Sequence, residues 1–213
     1  MHNVEIKTHP TKLARILDHS IDEAIKAVQL LQNPELKAQI LEIARHLASA
    51  FSLNQKVLIA GNGGSLCDAA HFAEELTGIF RKKRKALPAL VLSEGSHITC
   101  IANDIGYEFV FSRSIEAFGQ PNDVFIALST SGNSKNLYLA LEKAKELNLT
   151  TVALLGKNGG SMKGLADFEI LIKGFSWSDR IQEVHMTILH MICELVEAEL
   201  FGEEEPKFFS PYV

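Results

Sequence analysis

Five short, predominantly apolar runs, Val57–Ala60, Ala89–Leu92, Val124–Leu128, Val152–Leu155 and Phe168–Ile172, restrict this chain more than any other feature. A strand with one wet face alternates apolar and polar side chains. A strand without that alternation is buried on both faces, the condition of a parallel sheet covered by helices. Segments with helical spacing fill the gaps, around 66–76, 107–118, 137–147 and 162–165. Strand, crossover helix, strand repeated in this way predicts a doubly wound α/β fold.

Two helices precede the first strand. Leu13, Ile16, Leu17, Ile21, Ala24, Ile25 and Val28 form an amphipathic stripe over 11–31, and Pro34 suits the start of a second helix running to about Phe51. These helices either cover the sheet or pack against a neighbouring subunit. A long apolar helix, about 179–201, ends at Gly202 before an acidic, proline-containing tail. No linker or low-complexity block divides the chain, so one domain is expected over 1–213, with its core at about 50–200 and the N-terminal helices at 11–51.

Composition removes several function classes. The 213 residues are 46% hydrophobic and 22% charged, as in ordinary globular proteins, and the net charge of −5 argues against nucleic acid as the default partner. Cys67, Cys100 and Cys193 are odd in number and widely spaced, which suits reduced thiols in the cytosol. Met1–Pro10 contains no apolar run, so neither a leader nor a membrane span is expected, and the reading is cytoplasmic.

Two strand ends carry the chemistry. Val57–Ala60 runs into Gly61-Asn62-Gly63-Gly64-Ser65 and then a helix, where exposed backbone N–H groups and the helix start can cradle an anion. The loop is neither of the nucleotide motifs G-x-x-x-x-G-K-[ST] and G-x-G-x-x-G, and the bland alternative is a tight turn. At the second strand end, Ser129-Thr130-Ser131-Gly132-Asn133-Ser134 gathers four hydroxyls before another helix. Capping a helix needs one or two such side chains, whereas four can surround a phosphate with neutral donors. Ligands of open α/β sheets bind at the carboxyl ends of strands, so both loops should face one crevice. A third loop, Gly156–Ser161, reads as a turn.

In chain order, Gly61-Asn62-Gly63-Gly64-Ser65, Asp68-Ala69, His71-Phe72-Ala73-Glu74-Glu75-Leu76-Thr77-Gly78, Asn103-Asp104, Ser129–Ser134, Asp179-Arg180-Ile181-Gln182-Glu183 and His190 resemble the phosphoheptose isomerases of the sugar isomerase (SIS) fold. The resemblance runs from about Ile16 to Glu197. It implies a three-layer αβα sandwich with a five-stranded parallel sheet, usually a homotetramer with active sites at subunit contacts. It also implies conversion of sedoheptulose 7-phosphate to D-glycero-D-manno-heptose 7-phosphate, for lipopolysaccharide or other surface glycans.

His71 and Glu75 are four apart on a helix, so one face presents an imidazole and a carboxylate. Alone, such a pair is commonly structural. The resemblance assigns His71, Glu75, Gln182 and His190 to one zinc per subunit; Gln182 and His190 stand about 80° apart around an ideal helix. By the same resemblance Glu75 and His190 are the acid/base pair. Asn62, Gly63, Gly64, Ser65, Glu75, Asn103, Asp104, Ser129, Thr130, Ser131, Ser134, Asp179 and Gln182 hold substrate. Asn103 and Asp104 are placed after a strand, with an Asx turn as the alternative for Asp104, and Asp179 orients a catalytic group. Isomerisation needs a base beside a carbonyl, stabilisation of the enediolate and a returned proton.

His185 reads as packed, His97 as a plain loop residue and Cys193 as a buried apolar thiol. One departure concerns Ile79, where related sequences carry a basic residue; the charge lies instead in Arg81–Lys85, read as a solvated loop or a displaced phosphate contact. Three other functions compete: a non-catalytic SIS protein that binds a replication initiator, a sugar-phosphate sensor, and a hexose-phosphate isomerase. Intact Glu75 and His190 disfavour the first, the missing DNA-binding module the second, and the His/Glu/Gln/His set the third.

Overall fold

The structure, a computed structural model, describes residues 11–81 and 83–202. The N-terminal segment expected to carry no leader, the acidic tail and Lys82 of the basic run lie outside them. Each apolar run forms a strand: β1 (Val57–Gly61), β2 (Ala89–Val91), β3 (Val124–Ser129), β4 (Thr150–Gly156) and β5 (Phe168–Ile172). All pair in parallel in the order β2-β1-β3-β4-β5.

Because side chains alternate across a strand, each run feeds two cores. Val57, Ile59, Val124, Ile126, Leu128, Val152 and Leu154 point to one face. There they meet α2 (Pro34–Ser52), α3 (Gly64–Thr77) and α7 (Ser178–Phe201). Leu58, Ala60, Phe125, Ala127, Ala153 and Leu155 point to the other, against α4 (Gly95–Asp104), α5 (Val110–Phe118) and α6 (Lys135–Glu146). This is the three-layer αβα sandwich. Asp123, almost fully buried, accepts from the Lys56 N–H at 3.0 Å and the Gln120 N–H at 2.8 Å, tying β1 to β3 at their entry ends.

The first helix, α1 (Lys12–Gln29), packs on α7 through its small side, with Ala27 buried. Arg180 of α7 donates to Ser20 Oγ at 2.7 Å. The apolar stripe of α1 points outward: Leu13, Ile16, Leu17, Ile21, Ile25 and Val28 are all exposed.

Two expectations are corrected. Residues 95–104, where no helix is expected, form α4: Ile98, Ile101 and Ala102 pack on the core, and Glu94 caps the start, its carboxylate accepting from Ser96 N–H at 3.0 Å and His97 N–H at 2.6 Å. The helix expected over 162–165 is only a 3-10 turn, Gly160–Met162. Among the described residues no helix is long and apolar enough to cross a membrane.

Candidate active site

From β1 the chain adds β2 on one side and then crosses to β3 on the other, so the topological switch point lies between β1 and β3, where open α/β sheets bind ligands. The two strands stay in register to their ends, with Gly61 opposite Leu128. The glycine loop and the serine loop therefore open side by side into one crevice. Gly63 has φ of 56°, a left-handed conformation natural to glycine, and no side chain caps α3. The positive end of the helix dipole there suits an anion, although Ser65 N–H already donates to the Asn62 carbonyl at 3.1 Å and Leu66 N–H to the Gly63 carbonyl at 3.0 Å.

Ser134 is the N-cap residue of α6, yet its side chain makes no capping bond, so helix capping does not account for this loop. Ser129 Oγ accepts from Gly132 N–H at 3.0 Å, and Ser131 Oγ accepts from Asn133 N–H at 3.2 Å. With its oxygen anchored, the Ser131 hydroxyl keeps a proton to donate, while Ser129 Oγ also lies 3.4 Å from Ser134 Oγ. Thr130 Oγ1 donates to Ser178 Oγ at 3.1 Å, joining the loop to the head of α7. The third loop is more than a turn, for it backs the serine loop: Ser161 N–H donates to Asn133 Oδ1 and Met162 N–H to the Gly132 carbonyl, each at 3.0 Å. At Gly132, where φ is 65°, an added Cβ would lie 1.9 Å from the Gly159 carbonyl oxygen.

Sequence reasoning missed what holds the two loops together. The side-chain amides of Asn62 and Asn136 form a reciprocal pair, each donating to the other's oxygen at 2.9 Å. Tyr107 O–H adds a third bond to Asn62 Oδ1 at 2.9 Å. Asn136 is buried and lies 74 residues from Asn62, so no local pattern announces the pair. Asn62, expected as a substrate contact, keeps one side-chain N–H and its backbone N–H for that purpose. Tyr107 brings the end of α4 to the glycine loop. There Asn103 donates to Asp104 Oδ1 at 2.7 Å, and both side chains are exposed. They end a helix, where the sequence reading has them follow a strand. His97 likewise belongs to α4, with Nε2 at 3.0 Å from the Val110 carbonyl and 2.9 Å from Ser114 Oγ, so it bridges α4 and α5.

Farther along α3 from the glycine loop, ligand atoms of His71 and Glu75 and of His190 on α7 all lie within 4.8 Å of one another. His71 Nε2 is 3.2 Å from Glu75 Oε1, and the His71 and His190 rings meet edge-on at 5.0 Å. Two imidazoles and a carboxylate from two rigid helices suit the donor set of a zinc-like cation. Asp68, one turn before His71, supports this reading. Its Oδ2 is buried with no partner, and burial raises its carboxyl above the usual range while His71 pulls the other way. Gln182 reaches the head of α3, with Nε2 3.5 Å from the buried Ser65 Oγ and seated against Gly64, whose missing Cβ leaves that space. The carboxylate of Asp179 is exposed and accepts from the Arg180 N–H at 2.9 Å.

Cys193 is buried, as expected, and its thiol is pushed up to about 12 by burial first and by Glu75 next, which makes it inert. His185 is fully buried. Ile79 is exposed. The basic run is not a simple solvated loop: Arg81 pairs with Glu194, and the Arg84 side chain is buried against Glu197.

Comparison with known proteins identifies the family. A family model described as SIS domain matches residues 21–156. The chain is 53% identical over 175 residues to a phosphoheptose isomerase of Fusobacterium nucleatum, covering 82% of this chain and 90% of that one. It is 48% identical over 186 residues to one of Vibrio cholerae, covering 87% and 97%. Solved phosphoheptose isomerases from Francisella tularensis and Neisseria gonorrhoeae superpose with TM-scores of 0.81 and 0.79 at 30% and 34% identity. They cover 87% and 88% of this chain and 98% and 100% of their own.

Proposed function

Since the chain belongs to the phosphoheptose isomerases of the SIS-domain family, we propose that it converts sedoheptulose 7-phosphate to D-glycero-D-manno-heptose 7-phosphate, supplying heptose for lipopolysaccharide or another surface glycan. The observation that carries the reading is the convergence of His71, Glu75 and His190 on α3 and α7, whose first turns adjoin the glycine loop and the serine loop.

The phosphate sits on the serine loop, held by the hydroxyls of Ser129, Thr130, Ser131 and Ser134. Asn62, Gly63, Gly64 and Ser65 close the opposite wall, with Asn103, Asp104, Asp179 and Gln182 on the sugar hydroxyls. His71, Glu75, Gln182 and His190 hold a zinc ion, which when bound polarises the carbonyl and steadies negative charge on the neighbouring oxygens. Glu75 and His190 form the acid/base pair. One takes a proton from C1 of the ketose to give the enediolate, a proton is delivered to C2, and the hydroxyl proton passes between O1 and O2, so the formula is unchanged. A tightly held ligand is a poor base, so the residue that acts as base either loosens from the ion or works through a substrate hydroxyl. Their places on α3 and α7 fix both groups to rigid elements, as proton transfer within hydrogen-bond reach requires.

The assembly is a homotetramer in the cytoplasm with sites at subunit contacts. The outward apolar stripe of α1 supports this, since such a stripe gains by covering. The decisive experiment incubates purified protein with sedoheptulose 7-phosphate, with and without chelator, and follows aldose formation by NMR. Glu75→Gln and His190→Ala should each abolish exchange of the C1 and C2 protons with solvent while phosphate affinity stays largely intact. Exchange retained in both would refute the acid/base roles of this pair.

A further inference from the structure

The C-terminal end of α3 is held in an unusual way. Arg84 lies in the segment that follows the helix, and only 1% of its side chain is exposed. Its Nη2 donates to the Glu75 carbonyl at 2.7 Å and its Nη1 to the Leu76 carbonyl at 2.7 Å, with longer contacts of 3.2 Å to Gly78 and Lys85. These include carbonyls that a helix end leaves without partners, and the cation faces the negative end of the dipole. The remaining donor, Nε, bonds Glu197 Oε1 at 2.8 Å, and Glu197 Oε2 accepts from the Arg81 N–H at 3.2 Å. Glu197 is itself buried and stands on α7, seven residues beyond His190, two turns along nearly the same face. Between these bonds Phe80 stacks on the His190 ring, with centroids 5.7 Å apart.

We propose that Arg84 and Glu197 are positioning residues for the metal and acid/base group. The pair clamps α3 to α7 directly behind His71, Glu75 and His190, and so sets the separation of their ligand atoms. A buried ion pair is weak evidence of stabilisation, because removing two charges from water offsets their attraction. What this pair supplies is geometry: a planar fork bonds the backbone of Glu75 and the partner helix at once, which a lysine cannot reproduce. The proposal rests on the metal-site reading above.

The test uses the full-length protein in three forms: wild type, Arg84→Lys, and the double variant Arg84→Met/Glu197→Leu. The double variant removes both buried charges while keeping volume, so it folds even where a lone unpaired charge would not. Affinity for Co2+ is read from its visible absorption in competition with a chromophoric chelator, and kcat and KM for sedoheptulose 7-phosphate are measured in parallel. Thermal unfolding monitors the fold. Both variants should bind Co2+ about 10- to 100-fold more weakly than wild type, the usual cost of disturbing a ligand's support. They should lose kcat with KM little changed, and the double variant should still unfold in one cooperative transition, at a lower temperature because the carbonyls of Glu75 and Leu76 lose their Arg84 donors. If either variant keeps wild-type Co2+ affinity and kcat, the pair is structural only and the proposal is overturned. If wild type itself takes up no Co2+, the metal-site reading fails first, and the clamp falls with it.

Discussion

His185 offers the most direct physical test of the scaffold beneath the crevice. It is fully buried on α7, and its Nε2 lies 3.2 Å from the Leu155 carbonyl, an acceptor, so Nε2 carries the proton. Nδ1 is buried without a partner, and protonating it would place an unpaired charge in the core beneath the end of β4. Burial accordingly lowers the pKa of this imidazole to about 4 from 6.5, with the Leu155 bond opposing weakly. Above pH 6.5 the group is neutral in folded and unfolded chains alike and contributes no pH dependence. Between 6.5 and 4 the unfolded chain binds a proton that the folded one refuses, so stability falls as pH falls, and below about 4 the loss levels off. The gap between 6.5 and about 4 corresponds to roughly 3 kcal/mol in total. The perturbation is His185→Gln, whose Nε2 can still donate to Leu155 but cannot titrate. Guanidinium unfolding of both proteins, followed by circular dichroism from pH 7.5 to 4 at one protein concentration, cancels the other titrating groups in the difference. Wild type should lose about 3 kcal/mol more than the variant across that range. Parallel stability curves would refute the reasoning.

Two further substitutions probe the loops. Gly132→Ala forces a Cβ into the Gly159 carbonyl at a left-handed φ, so the serine loop must shift; KM for the sugar phosphate should rise at least about tenfold, with kcat less affected. Asn136→Leu strands the Asn62 amide, which should cost about 1–3 kcal/mol in denaturant unfolding. Replacing Asn62 by Leu as well should recover part of that loss, because no buried amide is then left unpaired and the exposed Tyr107 O–H can turn to water.

The parts legible in the sequence were those with a local signature. Apolar runs marked all five strands, most plainly β1, β3 and β4, which are buried on both faces, and the hydroxyl cluster marked the serine loop because its donors are adjacent in sequence. What escaped depends on distance or on an uncommon cap. Residues 95–104 hold no fully buried side chain and begin at a glutamate rather than Ser, Thr, Asp or Asn, so the short stripe of Ile98, Ile101 and Ala102 had no capping signal to mark it as α4. The Asn62–Asn136 pair and the Arg84–Glu197 clamp join residues 74 and 113 apart. Arg84 in particular sits in a charged run that looks solvated, and only the return of α7 shows that it is buried. His71 and Glu75 were visible as a pair, but their union with His190 needed either the family resemblance or the folded helices.

The serine loop has one more consequence. Residues 129–134 include no lysine or arginine, and the neighbouring Lys135 is committed to Glu108 at 3.1 Å. An anion held there is gripped by short-range dipoles, not by an ion cloud that dissolved salt would thin. Such a grip is nearly indifferent to ionic strength, and it selects an occupant by the outline of its oxygens more than by its charge. A crevice of that kind can take up and release a phosphate ester on an acidic protein without a strong counter-charge that would slow its departure.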